Sequence, residues 1–312
     1  MNEPLRPPYT ALPGVTVFQR GWLSSNNVLL QDSDEGAVLV DSSHLLHAPQ
    51  TVDLLRHALR GRPLAGVVNT HLHSDHCGGN ATLVREFGCT VTIPPGSWAA
   101  VQNWDETALS YAPTGQRCER FTADATLAPG ELLQVGAQRW QALAAPGHDP
   151  HSLILFNAEL RTVITADALW ERGFGVVFPE LEGEQAFDDV AQVLDLIESL
   201  DAQWAIPGHG APFGDLPGAL QQARARLAAF RADPAKHARH AMKALVVYHL
   251  LEEGSQAMPA LLDWFGSVTL YRAVWQRLGQ PAGTLQQYGL EVVDELCRAG
   301  VLTRRDGAVF PA

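Results

Sequence analysis

Residues 71–76, His71-Leu72-His73-Ser74-Asp75-His76, place three imidazoles and a carboxylate within six positions. Imidazole nitrogens and carboxylate oxygens are the donors that borderline divalent cations such as zinc accept, so the chemistry indicated is metal binding. The run before them, Ala65-Gly66-Val67-Val68-Asn69-Thr70, is short, apolar and β-branched, and predicts a strand. Gly78-Gly79-Asn80 and a helix-like segment over 81–87 follow. The cluster therefore sits on a strand-to-helix loop. There, residues two apart such as His71 and His73 point to the same side, and the turn can aim Asp75 and His76. Further ligands have to come from other strand ends, and three places qualify. His148 follows an apolar strand over 140–143, Asp167 closes a strand over 161–166, and His209 stands between two glycines after Trp204-Ala205-Ile206. Singly, each also reads as an ordinary cap or loop.

As a set, these residues resemble the metallo-β-lactamase superfamily, whose pattern is HxHxDH followed by a His, an Asp and a His. The matching residues are His71, His73, Asp75, His76, His148, Asp167 and His209, and the resemblance spans roughly residues 13–215. It implies an α/β fold, the αββα sandwich, with two mixed sheets face to face, helices outside and metals at one edge. It also implies two divalent metal ions, zinc first, with iron or manganese as alternatives. His71, His73 and His148 would hold one, Asp75, His76 and His209 the other, and Asp167 would bridge them. A shared carboxylate suits cations about 3.5–4 Å apart, because it offsets their repulsion. Seven ligands over two ions leave positions open for water and substrate. Such a pair lowers the pKa of a shared water toward about 7. The expected reaction is attack of that hydroxide on an ester, thioester or lactone carbonyl, with Asp75 as the catalytic proton carrier. No GxSxG nucleophile motif is present.

Composition suits a soluble enzyme of more than one domain. The chain has 312 residues, 46% of them hydrophobic and 18% charged, enough to bury a sizeable core. The formal charge of −12 argues against phosphate-backbone binding, which needs a basic field. Met1 to Gly14 holds Pro7-Pro8 and no long apolar run, so no secretory signal is expected, and no stretch reaches the ~20 apolar residues of a membrane span. Cys77, Cys89, Cys118 and Cys297 are scattered without CxxC spacing, which suggests free thiols in a reducing cytoplasm. Cys77, directly after His76, is expected to pack behind the loop rather than face a metal.

Up to residue 215 short strands alternate with helices. Strands are predicted at 15–19, 28–31, 37–41 and 65–70, with helices at 49–59 and 81–87, as a first half. Strands at 91–93, 132–135, 140–143, 153–156 and 161–166 are assigned to a second half, with an amphipathic helix over 187–200. Residues 1–215 are thus read as the catalytic domain and 216–312 as a smaller, mainly helical, winged-helix-like domain. Helices are expected there at 220–231, 234–251, 258–265, 269–278 and 285–299, then a hairpin turning at Asp306-Gly307. A winged helix invites a nucleic-acid reading, and charge decides against it. From Asp233 to the end eight Lys and Arg face eight Asp and Glu, a poor footprint for phosphates. The tail is expected to shape the pocket or to form a homodimer contact.

The partner expected is a small-molecule substrate, with neither nucleic acid nor membrane. Trp170 to Pro179, aromatic and punctuated by glycine, should lie near the pocket mouth, an apolar wall suited to an acyl or ring substrate. Trp98 and Trp104 are read first as core and second as another wall. His151, His44 and His47 are outside candidates for the site. The alternatives kept open are an RNA- or phosphodiester-cleaving metallo-nuclease, an iron-dependent persulfide dioxygenase-like enzyme with one metal, and a regulator without turnover. Glutathione thioesters are less favoured within the leading reading, because the family's glutathione-binding basic residues find no match in the tail.

Overall fold

The computed structural model describes residues 12–31 and 36–312; most of the Met1–Gly14 segment lies outside them. A first sheet contains β1 (Val15–Phe18), β2 (Asn27–Leu30), β3 (Ala37–Val40), β4 (Leu64–Val68), β5 (Thr90–Ile93) and β6 (Ala125–Thr126), in that order. The first three strands are antiparallel, and β3 to β6 run parallel. Parallel neighbours need crossovers. These are α1 (Ala48–Leu59) between β3 and β4, and the short α2 (Ser74–Cys77) with α3 (Asn80–Phe87) between β4 and β5. An excursion with α4 (Trp98–Asn103) and α5 (Tyr111–Thr114) precedes β6. The second sheet is β7 (Leu132–Val135), β8 (Gln138–Ala144), β9 (Leu153–Asn157), β10 (Thr162–Ala166) and β11 (Trp204–Pro207), antiparallel except for the last pair. Between β10 and β11 run α6 (Phe178–Glu182) and α7 (Phe187–Ser199), and α8 (Leu216–Ala232) follows.

Strand periodicity builds the four layers. Successive side chains leave opposite faces, so strands apolar at every position can bury both. Val28, Leu30, Val40, Val68, Leu155, Ile164 and Ile206 meet between the sheets around Trp140. Their neighbours Leu29, Leu39 and Val67 face outward onto Val52, Leu55, Leu59 and Leu83 of α1 and α3. On the other side Ile154, Val163 and Ala205 pack under Val190, Val193, Leu194 and Ile197 of α7. The αββα sandwich expected from the sequence is present. One strand differs from expectation. Thr90–Ile93 belongs to the first sheet, parallel to β4, and not to the second half. The crossover through α3 returns the chain beside the strand it left, and the halves divide only after β6.

Beyond α8 come α9 (Pro234–Glu253), β12 (Gln256–Ala257), α10 (Met258–Ser267), α11 (Thr269–Arg277), α12 (Leu285–Arg298), β13 (Leu302–Arg305) and β14 (Ala308–Pro311). The hairpin turns through Asp306 and Gly307, both at positive φ, as its two-residue loop requires. A third strand, the two residues of β12, pairs with β14 and is too short to be read from sequence. These elements share a separate core around Leu261, Phe265, Tyr271 and Val292. Phe178 and Leu181 of α6 enter that core from the catalytic side. Among the described residues no helix is long and apolar enough to cross a membrane.

Helix α8 lies past the expected boundary at 215, yet it buries Leu216, Ala219, Leu220, Ala223, Leu227 and Phe230 in the cluster that holds α7. Four of these are large, and each stabilises by about 1.5–3 kcal/mol when buried. Their sum rivals the whole stability of a domain, roughly 5–15 kcal/mol. A chain ending at Asp215 should therefore be insoluble or molten on expression. The full chain should melt cooperatively by circular dichroism. A soluble, cooperatively melting 1–215 fragment would contradict this packing argument.

Candidate metal centre

All seven residues singled out from the sequence gather at one edge of the sandwich, at the ends of β4, β8, β10 and β11. They form two groups, His71, His73 and His148, and Asp75, His76, Asp167 and His209, and within each group the candidate donor atoms lie within 4.8 Å of one another. Every one of the seven is buried. His71 and His73 leave the end of β4, while Asp75 and His76 ride on the single turn of α2. His148 follows the 145–147 turn, Asp167 follows β10, and His209 follows β11.

Asp41, at the end of β3, orients two of the rings. Its Oδ2 accepts from His76 Nδ1 at 2.7 Å and from the Thr70 hydroxyl at 2.8 Å, while Oδ1 accepts from the Thr70 backbone N–H at 2.9 Å. Because the Thr70 hydroxyl donates to Asp41, its lone pair receives the Nδ1–H of His71 at 3.1 Å. His71 Nε2 is then a bare lone pair, and His76 Nε2 faces the carboxylates of Asp75 and Asp167. Both nitrogens are buried without a hydrogen-bond partner, an arrangement that only a bound cation or proton satisfies. His148 is set in the same way. Its Nδ1–H donates to the Val176 carbonyl at 2.5 Å, so its bare Nε2 points at His73 Nδ1, 2.8 Å away. The strand predicted over 37–41 ends on this acid, Asp41, but its partner atoms are brought to it only by the fold.

The carboxylates face the same space. Asp75 Oδ2 lies 3.0 Å from His209 Nε2 and 3.6 Å from His76 Nε2. Asp167 reaches both groups, with Oδ1 3.5 Å from His76 Nε2 and Oδ2 3.5 Å from His148 Nε2. The Trp170 indole N–H donates to Asp167 Oδ1 at 3.2 Å. Burial pushes Asp75 up, but His76 and His209 outweigh it and hold the carboxyl at about 2. Burial likewise opposes ionisation of Asp167, yet His209 and His76 bring it well below the usual carboxylate range. Burial lowers His73 to about 4 and His71 well below its ordinary value, so both rings stay neutral at pH 7. His76 differs: burial opposes its charge, but Asp41, Asp75 and Asp167 around it raise it well above its ordinary value, so a proton held there without a cation must leave when a metal binds. The donor set fits two divalent cations.

With this geometry in view, the comparisons with known proteins are decisive for the family. The family model described as the metallo-beta-lactamase superfamily matches residues 20–235. The chain belongs to the metallo-beta-lactamase superfamily. A hydroxyacylglutathione hydrolase of Nitrobacter winogradskyi is 29% identical over 153 residues, 48% of this chain and 50% of the relative. The chain thus spans about half the length of that curated relative. Two solved structures resemble it through the C-terminal helices. A metallo-beta-lactamase family protein from Thermus thermophilus has a TM-score of 0.56 at 20% identity, covering 96% of this chain and 99% of that one. A beta-lactamase domain protein from Burkholderia ambifaria has a TM-score of 0.58 at 20% identity, covering 97% and 94%. At these identities the likeness speaks for the superfamily fold.

The superfamily site opens into a cavity of about 660 Å³, whose lining includes His73, Asp75, His148, Asp167 and His209. Trp170, Val176 and Phe178 line it, as the aromatic segment after Asp167 suggested. Trp22 lines it too and was missed. Its indole stacks on the His209 ring at 5.2 Å while 61% of the residue stays exposed. Tyr248 of α9 also enters, its hydroxyl 2.9 Å from Ser74 Oγ on the metal loop. Trp98 and Trp104 pack instead against the cluster around Val101 and Tyr111. His44 sits beside Glu252 and Tyr248, His47 on Ser24, and His151 is exposed; none joins either ligand group. Cys77 packs behind the loop against Tyr111 and Cys118. Replacing Asp41 by Ala should weaken metal binding by about 10–100-fold while the fold is retained, because two rings lose their orientation. Zinc-buffer titration checks this, and unchanged affinity would show that Asp41 does not position the ligands.

Proposed function

We propose that the protein is a two-metal hydrolase that cleaves an ester, thioester or lactone carbonyl of a small molecule. The observation that carries this reading is the convergence of the two ligand groups, with the buried Nε2 atoms of His71 and His76 turned inward and without a hydrogen-bond partner. We assign His71, His73 and His148 to one cation and Asp75, His76 and His209 to the other. Asp167 is shared, since its two oxygens approach one histidine of each set. Bound there, two divalent cations, zinc first and iron or manganese otherwise, would supply an acidified water and polarise the carbonyl oxygen. The protein's own residues do the rest. Asp41 and the Val176 carbonyl fix ring orientation, and Trp22, Trp170 and Phe178 keep bulk water from the acyl part. Held at about 2, Asp75 remains charged, which suits coordination first; a proton carrier works best near the operating pH.

The name of the curated relative, a hydrolase of hydroxyacylglutathione, supports an acyl-transfer substrate. The nuclease reading is less well supported. Glu295 and Leu296 of α12 and Ala299 just past its end, before the C-terminal hairpin, line the cavity, and the wall is mostly apolar. We infer that the C-terminal region serves as a wall of the substrate pocket, with its boundary near Asp233. Elemental analysis should give two metals per chain, and a panel of thioesters, lactones and phosphodiesters should show carbonyl hydrolysis. Asp167→Ala should lose the second metal and at least about a hundredfold of activity with an unchanged circular dichroism spectrum. One iron per chain, with oxygen consumption and no hydrolysis, would overturn the proposal in favour of persulfide oxidation.

A further inference from the structure

The wall of the cavity opposite the sheets is one face of α9. His240, Lys243, Ala244, Val247, Tyr248 and Leu251 recur at helical spacing and all line the space. The face is graded. Tyr248 stands at the metal loop, Val247 and Leu251 are apolar, and Lys243 and His240 lie toward the helix N-terminus. At about 1.5 Å per residue, Lys243 is about 8 Å from Tyr248 along the axis. Arg226 of α8 and Arg172 of the 170–173 turn join that far end.

Arg226 is the informative residue. It is half-buried, its guanidinium lies over the rings of Phe174 and Phe230 at 5.7 and 5.4 Å, and one N–H meets His240 Nε2 at 2.6 Å. Burial lowers His240 to about 4, so that ring is a neutral acceptor. Among the described residues no carboxylate pairs with Arg226, whereas Arg224 holds two and Arg231 and Arg239 one each. Burial lowers the affinity of Arg226 for its proton, and no acidic neighbour opposes the effect. The backbone is shaped around it. Gly173 has φ +114°, and a Cβ there would lie 2.6 Å from Arg226 Nη1. The acid that faces this end of the cavity is Glu295, which is already shared by Lys243 and Arg239 at 2.7 and 2.8 Å. A buried cation without a counter-ion is costly unless a ligand supplies one.

We propose that Arg226, with Arg172 and Lys243, forms an anion subsite for the far end of the substrate: an acyl compound whose carbonyl sits at the metals, whose apolar body runs along α9, and whose other end carries a carboxylate or a phosphate. The inference rests on the hydrolase reading for the carbonyl end only. Guanidinium and ammonium groups recognise either anion by charge-assisted hydrogen bonds.

The test separates the two. Binding of octanoate, octanedioate and 8-phosphonooxyoctanoate to the metal-loaded protein is measured by calorimetry at two salt concentrations. Turnover of an octanoyl thioester is measured in parallel. The doubly anionic probes should bind about tenfold or more tightly than octanoate, and high salt should narrow the gap. The tighter of the two names the anion. Arg226→Gln should bring the doubly anionic probes down to octanoate. Lys243→Gln, whose site is less packed, should narrow the gap in the same direction if the first variant is unstable. Equal binding of all three probes by the unmodified protein, or a gap that survives both substitutions, would overturn the subsite. A gap with no turnover of the octanoyl thioester, nor of any thioester, ester or lactone carrying a far-end carboxylate or phosphate, would leave the subsite standing and overturn the hydrolase reading.

Discussion

Two ionised carboxylates and five imidazoles turned toward one another inside a protein are tolerable only if positive charge fills the space between them. Asp75 and Asp167 are buried at the same edge, and in a low-dielectric interior their repulsion grows as water is excluded. The inward Nε2 atoms of His71 and His76 lack partners for the same reason. The backbone is bent to meet this demand. Ala166, just before Asp167, has φ 45°, and Asp41 has φ 59°, both unusual for residues with a Cβ. Gly208 and Gly175 lie so close to Asp167 and His148 that a side chain at either would collide with the ligand. Strain of this kind persists only where the surrounding packing over-determines it.

That packing comes from the strands. Each candidate ligand stands just past a strand or on the loop after one; β10 and β11 are buried on both faces and β8 buries alternate residues around Trp140, so neither sheet can slide without exposing a layer. The Asn26 amide ties the β11 loop across the edge by donating to the carbonyls of Pro207 and Gly210, at 2.9 and 2.7 Å. Ser25 N–H does the same for the metal loop, reaching the Asp75 carbonyl at 3.0 Å. Ligand convergence is therefore a consequence of sheet register, with a few polar side chains setting the last ångström.

Much of this was legible in the chain, and the reason is physical. Taken singly, His148, Asp167 and His209 read as ordinary caps or loops; their match, together with the 71–76 cluster, to the superfamily's pattern is what singled out all seven candidates. Strands buried on both faces leave apolar runs that are hard to mistake. What could not be read depends on partners distant in sequence. Asp41 looks like any strand-ending acid until Thr70 and His76 are seen on its two oxygens. Trp22 lies in a loop with no periodicity, far from every motif. The assignment of Thr90–Ile93 failed because a strand's own residues do not state which neighbour it pairs with. Arg226 is one of three arginines in the helix expected at 220–231, with nothing in the sequence to set it apart; its missing counter-ion is a property of the packed state.

Phe178 shows why the two cores cannot be treated as catalyst and attachment. Its ring lies 4.7 Å from that of His73 and 5.6 Å from that of His148, so it borders the ligands directly. Its own packing, however, is with Leu245, Phe265 and Val274 of the helical core. The chain between β10 and β11 thus leaves the ligand Asp167, passes Trp170 and Arg172, and is then gripped by the second core before it returns through α7. His237 of α9 reinforces the grip by accepting the Val177 N–H at 3.1 Å. A shift of the helical core must therefore move the segment that orients His148 through the Val176 carbonyl. The proposed substrate wall and the candidate ligand His148 thus share one support, so contacts along α9 reach the candidate ligands through packing alone.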